Sequence, residues 1–324
     1  MRRPATAVWL LAAGWVAVLL LAPLLGSQPL DLAELVAGDE ISGAIFWQLR
    51  LPRVLLAVLA GGVLAVSGVA FQTLFRNPLA EPYTLGVAAG AALGAVLAMQ
   101  LVGGAGFFAV AGAAFAGALA VSAVILGLAS TRHGLETGTL LLAGIAISLS
   151  CSALILFVQY LADFTRTFRM VRWMMGGLAV VGYGELLWLL PWVVLAAGMV
   201  LAHRWELNLL LTGEELAASR GVDLMRLRLL VLGATSLAVG ALVAVVGPIG
   251  FVGLIVPHIL RRWVGHDHLH LVPACLFGGG AFLAICDLAA RTMMAPAELP
   301  VGVLTAILGG PFFLWLLVLR RTGT

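Results

Sequence analysis

The chain has 324 residues, 62% of them hydrophobic and only 10% charged, with a formal net charge of +3. Soluble domains carry roughly 25% charged residues, so a mean hydropathy of +1.12 excludes a soluble globular protein. Backbone amides in lipid must be paired within a segment, and long unbroken apolar runs exclude a barrel of short alternating strands; the expected fold class is an all-α polytopic membrane protein.

Ten apolar segments follow one another, at about 7–26, 54–75, 83–102, 105–130, 138–162, 185–202, 229–247, 249–264, 271–291 and 301–319. The first follows Met1-Arg2-Arg3. Its run is longer than the apolar core of a secretory signal, so it is expected to be retained as a helix. Ahead of the second stands Leu49-Arg50-Leu51-Pro52-Arg53, with Pro52 suited to a first helical turn. Arg50 and Arg53 either snorkel to lipid phosphates or form a basic socket for carboxylates on a docking protein. The second span ends at Asn77-Pro78-Leu79-Ala80-Glu81-Pro82. Two prolines there stop the helix and leave carbonyls unpaired, one of which Asn77 can satisfy locally.

No charged residue occurs from Pro82 to Thr131, room for two crossings at about 20 residues each. Gly61, Gly62, Gly86, Gly90 and Gly94 recur at a spacing that lets helices pack closely. The fifth span carries only mild polar groups, Ser148, Ser150, Ser152 and Gln159, and serine in a membrane helix usually bonds its own backbone.

Residues 203–228 form the longest polar island and hold eight charged side chains. Thr212-Gly213-Glu214-Glu215 has the form of a capping box, in which Thr212 caps the Glu215 amide and Glu215 reaches back. Gly221 stands where a C′ glycine is expected. A helix over 213–220 follows, too short to be stable alone in water, so its own chain or a partner must hold it. The glutamates also suit the positive end of the helix dipole.

After the eighth span, His266, His268 and His270 alternate in a manner that invites a metal, but a loop solvated or in contact with a partner is the expectation, and no metal site is assigned. Asp287 and Arg291 are four apart, share a helix face and are expected to pair. Cys151, Cys275 and Cys286 lie in apolar runs without CxxC spacing and read as small buried hydrophobes. The chain has no GxxxxGK[ST] pattern, so it binds no ATP through a P-loop. All 18 basic residues are arginine. With both termini inside, twelve fall inside and six outside, which favours cytoplasmic termini and a cytoplasmic island.

Gly213 through Val222, GEELAASRGV, resembles the coupling helix of the FecCD-type permeases of ABC importers for iron chelates and cobalamin. Further stretches match that family in order: Leu49–Arg53, Gln72–Pro82 (QTLFRNPLAEP), Trp173–Gly177 (WMMGG), Gly250–Arg261 (GFVGLIVPHILR) and Ala297–Gly302 (AELPVG). The resemblance implies a single permease domain over 1–324 with about ten helices. It further implies a homodimer with a central pathway, two cytoplasmic ATPase subunits and a periplasmic binding protein, all at a bacterial inner membrane.

By the same resemblance, a coupling helix at about 212–221 meets the ATPase through Thr212, Gly213, Glu214, Glu215, Leu216, Ala217, Ser219, Arg220 and Gly221. Arg50, Arg53 and Arg291 receive the binding protein. Asn77, Leu79, Thr137 and Gly138 form the cytoplasmic gate, although the family often has a hydroxyl where Gly138 stands. ATP and Mg are used by the partner, and this chain is expected to bind no cofactor and no nucleic acid. The expected cargo is an iron chelate (siderophore or haem) or cobalamin; WMMGG is similar to the cobalamin members. An ion-coupled secondary transporter is the alternative and would need carboxylates near the midplane. Only Asp287 and Glu298 could serve, and both fall near an edge. A membrane enzyme would need clustered catalytic side chains, which the sequence does not display.

Overall fold

The computed structural model describes residues 4–26, 32–102, 106–129 and 137–321. In chain order the helices are α1 (Pro4–Leu21), α2 (Leu32–Ala37), α3 (Glu40–Ala44), α4 (Leu51–Leu74) and α5 (Val87–Leu101). They continue as α6 (Phe107–Ala129), α7 (Thr137–Leu161), α8 (Phe164–Met174), α9 (Gly184–Ala202) and α10 (Arg204–Leu210). The last are α11 (Glu214–Ser219), α12 (Leu224–Val246), α13 (Val252–Val264), α14 (His268–Thr292) and α15 (Val301–Arg321). One helix fills each of the ten expected segments. Among the described residues, 7 helical stretches are long and apolar enough to cross a membrane.

α4 is the axis of the bundle. Its most apolar window is 89% buried, against 6% for α1 and 22% for α7 and α9, so the latter present apolar side chains outward as a lipid-facing helix must. Small residues permit the central packing. Gly61 lies against the Gly279 carbonyl of α14, and Gly94 against the Ala113 carbonyl of α6, each so close that a Cβ would collide with backbone. The repeated glycines are therefore sites of close approach.

The bundle has two ends, named here by residues of α4. At the Arg50 end the chain enters α4 and leaves α14; Arg50 Nη1 donates to the carbonyl of Leu24, just past α1, at 3.2 Å. At the Asn77 end α4 stops, α13 ends and α14 begins, and Ala7 of α1 shares a cavity with Arg262. α15 runs from the Arg50 end toward His258, which Phe312 meets edge-on. The terminal ends of the first and last helices thus reach the same side. Of the arginines counted inside, Arg2, Arg3 and Arg132 lie outside the described residues.

Pro52 stands in the first turn of α4, as its position suggested, but it does not begin the helical chain. Helical chain runs unbroken from Glu40 to Leu74, with a π-helical stretch over Ile45–Arg50. Proline has no N–H to return to the Gln48 carbonyl four residues back. That carbonyl instead accepts from the Gly182 N–H at 2.8 Å, and the Trp47 carbonyl accepts from the Tyr183 hydroxyl at 2.8 Å. The widened turn therefore stitches the second span to the chain ahead of α9.

α5 and α13 are shorter than the expected spans. Thirteen residues of α13 rise about 20 Å, less than the ~30 Å hydrocarbon core. The remainder is covered by residues 75–86 ahead of α5, turns followed by a short 3-10 helix over Pro82–Leu85, and by irregular chain at 247–251 ahead of α13. Such backbone is tolerated at membrane depth only where protein surrounds it. Here Gly177 N–H donates to the Val246 carbonyl at 2.8 Å, and the Phe251 backbone bonds the buried Glu81 carboxylate.

Candidate docking and coupling sites

At the Arg50 end, three arginines predicted for docking line one cavity of about 460 Å³ together with Glu298. Asp287, on α14 and 1% exposed, is the hub. Arg53 approaches it with Nε at 3.0 and 3.1 Å and Nη2 at 2.9 Å. Arg291 adds Nε at 3.1 Å, so the expected i,i+4 pair is present. Arg53 Nη1 also donates to Glu298 at 2.8 Å, and the Glu298 side chain is 43% exposed. Arg291 is not a rim charge: it is 4% exposed, behind the others, and its Nη2 has no hydrogen-bond partner. Among the described residues the group brings together three arginines and two carboxylates. Glu298, read from the sequence as part of a motif and as an edge carboxylate but not as a docking residue, belongs to this site. Its spacing from Arg53, 245 residues, gave no local signal.

At the Asn77 end, α4 stops in a Schellman motif. Arg76 takes the left-handed position at φ 46°, its N–H donating to Thr73, and the Asn77 N–H donates to Gln72 at 3.1 Å. These bonds satisfy the carbonyls left at the helix end. Asn77 therefore does a different task from the one expected: its Oδ1 accepts from the Leu79 N–H at 3.0 Å, an Asx turn. Asn77 and Leu79 are half-buried, and Glu81 is buried. Thr137 and Gly138 open α7, where Gly138 is exposed; the side chain of Thr137 lies outside the described residues.

α11 spans six residues rather than eight. The expected capping box is absent: Gly213 is the N-cap at φ 131° with no side-chain cap. α10, which the sequence reading did not anticipate, ends just before, and Thr212 Oγ1 turns back to donate to its Leu209 carbonyl at 2.7 Å. Glu214 leaves the helix start and receives Arg228 Nη2 of α12 at 2.7 Å. The C-terminus matches expectation. Gly221, at φ 86°, donates to Ala218, and the Val222 N–H donates to Ala217 at 3.1 Å, a second Schellman motif. Ala217 and Val222 are buried, whereas Glu215, Leu216, Ser219 and Arg220 are exposed.

The histidines do not converge. His268 is buried, with Nδ1 at 2.5 Å from Asn208 Oδ1 and Nε2 at 3.0 Å from Thr73 Oγ1. An amide oxygen can only accept, so Nδ1 carries the proton. His270 instead lies 3.5 Å from Asp267. The Asn208–His268–Thr73 chain ties α10, directly ahead of α11, to α14 and α4. Among the described residues no three His, Cys, Asp or Glu side chains could hold a metal together. Ser148 and Ser150 donate to carbonyls four residues back at 2.9 Å, and the three cysteines are free thiols, buried as expected.

Comparison with known proteins follows the same outline. The model of the FecCD transport family matches residues 11–319. The chain is 40% identical to the haemin transport system permease protein HmuU of Yersinia pestis, over 95% of each chain. It is 41% identical to the vitamin B12 import system permease protein BtuC of Escherichia coli O127:H6, over 96% of this chain and 94% of the other. A solved structure of a metal-chelate type ABC transporter in an inward-facing conformation superposes with a TM-score of 0.85 at 31% identity, covering 97% and 99% of the two chains.

Proposed function

The chain belongs to the FecCD transport family, and on that premise we propose how its two ends divide the work of an importer. It is the membrane-spanning permease subunit of an ABC importer, a transport component and not an enzyme, in the inner membrane. An ATPase and a substrate-binding protein accompany such a permease. The Asn77 end, with both termini, faces the cytoplasm. There α11 seats in a groove of the ATPase, one on each half of a homodimer. The Arg50 end receives the loaded periplasmic binding protein at Arg50 and Arg53, with Arg291 behind them.

The observation that carries this reading is the construction of α11. One side is fastened by Ala217, Val222 and the Glu214–Arg228 pair, and the other offers Leu216, 44% exposed, among polar neighbours. A helix this short needs a second surface to order it. ATP, with Mg, is hydrolysed in the partner, and α11 conveys the change to Asn77, Leu79, Thr137 and Gly138. Nucleotide moves the equilibrium between an open and a closed pathway at those residues only through unequal affinity for the two states. The cargo is an iron chelate (siderophore or haem) or cobalamin, in keeping with the names of the relatives.

Reconstitution in vesicles with the ATPase and binding protein tests the division. Uptake should require ATP; uptake driven by an ion gradient without ATP overturns the proposal. Replacing Thr212, Glu214 and Glu215 by Ala should lower ATPase assembly and uptake together. Arg50→Glu should weaken capture of the binding protein and leave ATPase assembly intact. Affinities of the binding protein for siderophores, haem and cobalamin identify the cargo.

A further inference from the structure

Two cavities meet at one arginine on the Asn77 end. The first, about 480 Å³, is lined by Arg76, Arg261, Arg262, His258 and His266, with no carboxylate among its lining residues. The acid next in sequence, Asp267, is occupied elsewhere: it accepts from Asn208 at 2.8 Å and from the Leu269 N–H at 3.0 Å. Arg261 is held in place by Gln72 Oε1, and Gln72 in turn donates to the Gly253 carbonyl at 3.0 Å. Three guanidiniums with no counter-charge among the described lining residues make a site for an anion with several acceptor oxygens.

On the other side of Arg262 lies the second cavity, about 420 Å³, lined also by Ala7, Leu10, Leu11 and Trp263. Apart from Arg262 its walls are apolar, and Trp263 is 60% exposed at the end of α13, a position typical of the aromatic belt at a membrane interface. A free anion would fill the first cavity and leave the second. An acidic protein surface would reach the first from water and would not follow a groove between two membrane helices. One amphiphile fits both.

We propose that the cleft between α1 and α13 binds an anionic phospholipid. Its phosphate sits among Arg76, Arg261 and Arg262, and an acyl chain lies along Leu10, Leu11 and Trp263. Basic pockets between membrane helices take such headgroups. The bound lipid touches Arg76, one residue before the gate loop, and Leu211, three before α11. Its loss therefore loosens the path from coupling helix to gate.

The test uses the full chain with its ATPase, purified in mild detergent, with native mass spectrometry and thermal unfolding in added phosphatidylglycerol, phosphatidylcholine or inorganic phosphate. Phosphatidylglycerol alone should be retained and raise Tm. Arg262→Gln should cut its retention about tenfold, and Trp263→Ala should weaken retention while preserving the preference over phosphatidylcholine. Arg169→Gln, an exposed arginine at the other end, should change nothing. Equal retention of both lipids, or an equal effect of Arg169→Gln, overturns the site. Protection by inorganic phosphate as strong as by lipid overturns the lipid assignment. So does an Arg262→Gln chain that loses ATPase and keeps its phosphatidylglycerol, because an acidic surface of the ATPase then fills the cavity.

Discussion

Asp287 is the residue on which the Arg50 end depends. It balances two arginines, one of them 4% exposed, and removing one partner of a buried ion group leaves an uncompensated charge that costs about 3–5 kcal/mol. Asp287→Asn should therefore lower the unfolding midpoint strongly. Glu298→Gln, at a side chain 43% exposed, should change stability by less than about 1 kcal/mol. Equal effects in thermal unfolding would refute this ranking. Spacing alone made the Asp287–Arg291 pair legible, because four residues is one turn of helix. The Arg53–Asp287 contact joins residues 234 positions apart, which no local pattern encodes. For the same reason the sequence placed Arg291 at a surface when it stands behind its neighbours.

At the scale of elements, α11 shows what local chemistry can and cannot specify. Gly221 was legible as a C′ residue, and its φ of 86° makes a Cβ costly by about 1–2 kcal/mol. Gly221→Ala should raise hydrogen exchange across α11 and weaken ATPase assembly, with the unfolding midpoint nearly unchanged; unaltered exchange would count against the motif. The N-terminal half was misread because a capping box presumes that an extended chain precedes it. α10 occupies that place, so Thr212 caps backward and Glu214 crosses to Arg228. Short helices such as α8 and α10 escaped a search for apolar runs, although Asp163 does cap α8, accepting from the Arg166 N–H at 2.9 Å. A test of the Glu214–Arg228 pair is a double-mutant cycle. Both side chains are partly solvated, 16% and 35% exposed, so a coupling of about 0.5–1 kcal/mol is expected, and a larger value would mean that the pair is drier than it stands.

At the scale of the molecule, the ten segments were legible because lipid demands long apolar helices, whereas the packing of α4 at their centre was not, since every span is apolar. Burial separates them. Gly61→Ala should destabilise the fold by about 1–3 kcal/mol, because α4 and α14 have no room for the methyl group. Gly198→Ala in α9, with nothing within 4 Å of the added atom, should be neutral or stabilise by up to about 1 kcal/mol. Unfolding in detergent should order the two, and the reverse order would displace α4 from the axis. The pair between Arg53 and Glu298 also bears on the kinetics of the assembled importer. On the docking proposed above, a visiting carboxylate must take the place of one that Arg53 already holds at 2.8 Å, so capture would be an exchange of similar partners with little net electrostatic gain. On that proposal a short residence time is expected, which would suit a carrier that has to depart after each delivery. Glu298→Gln should prolong that residence and slow turnover at saturating carrier.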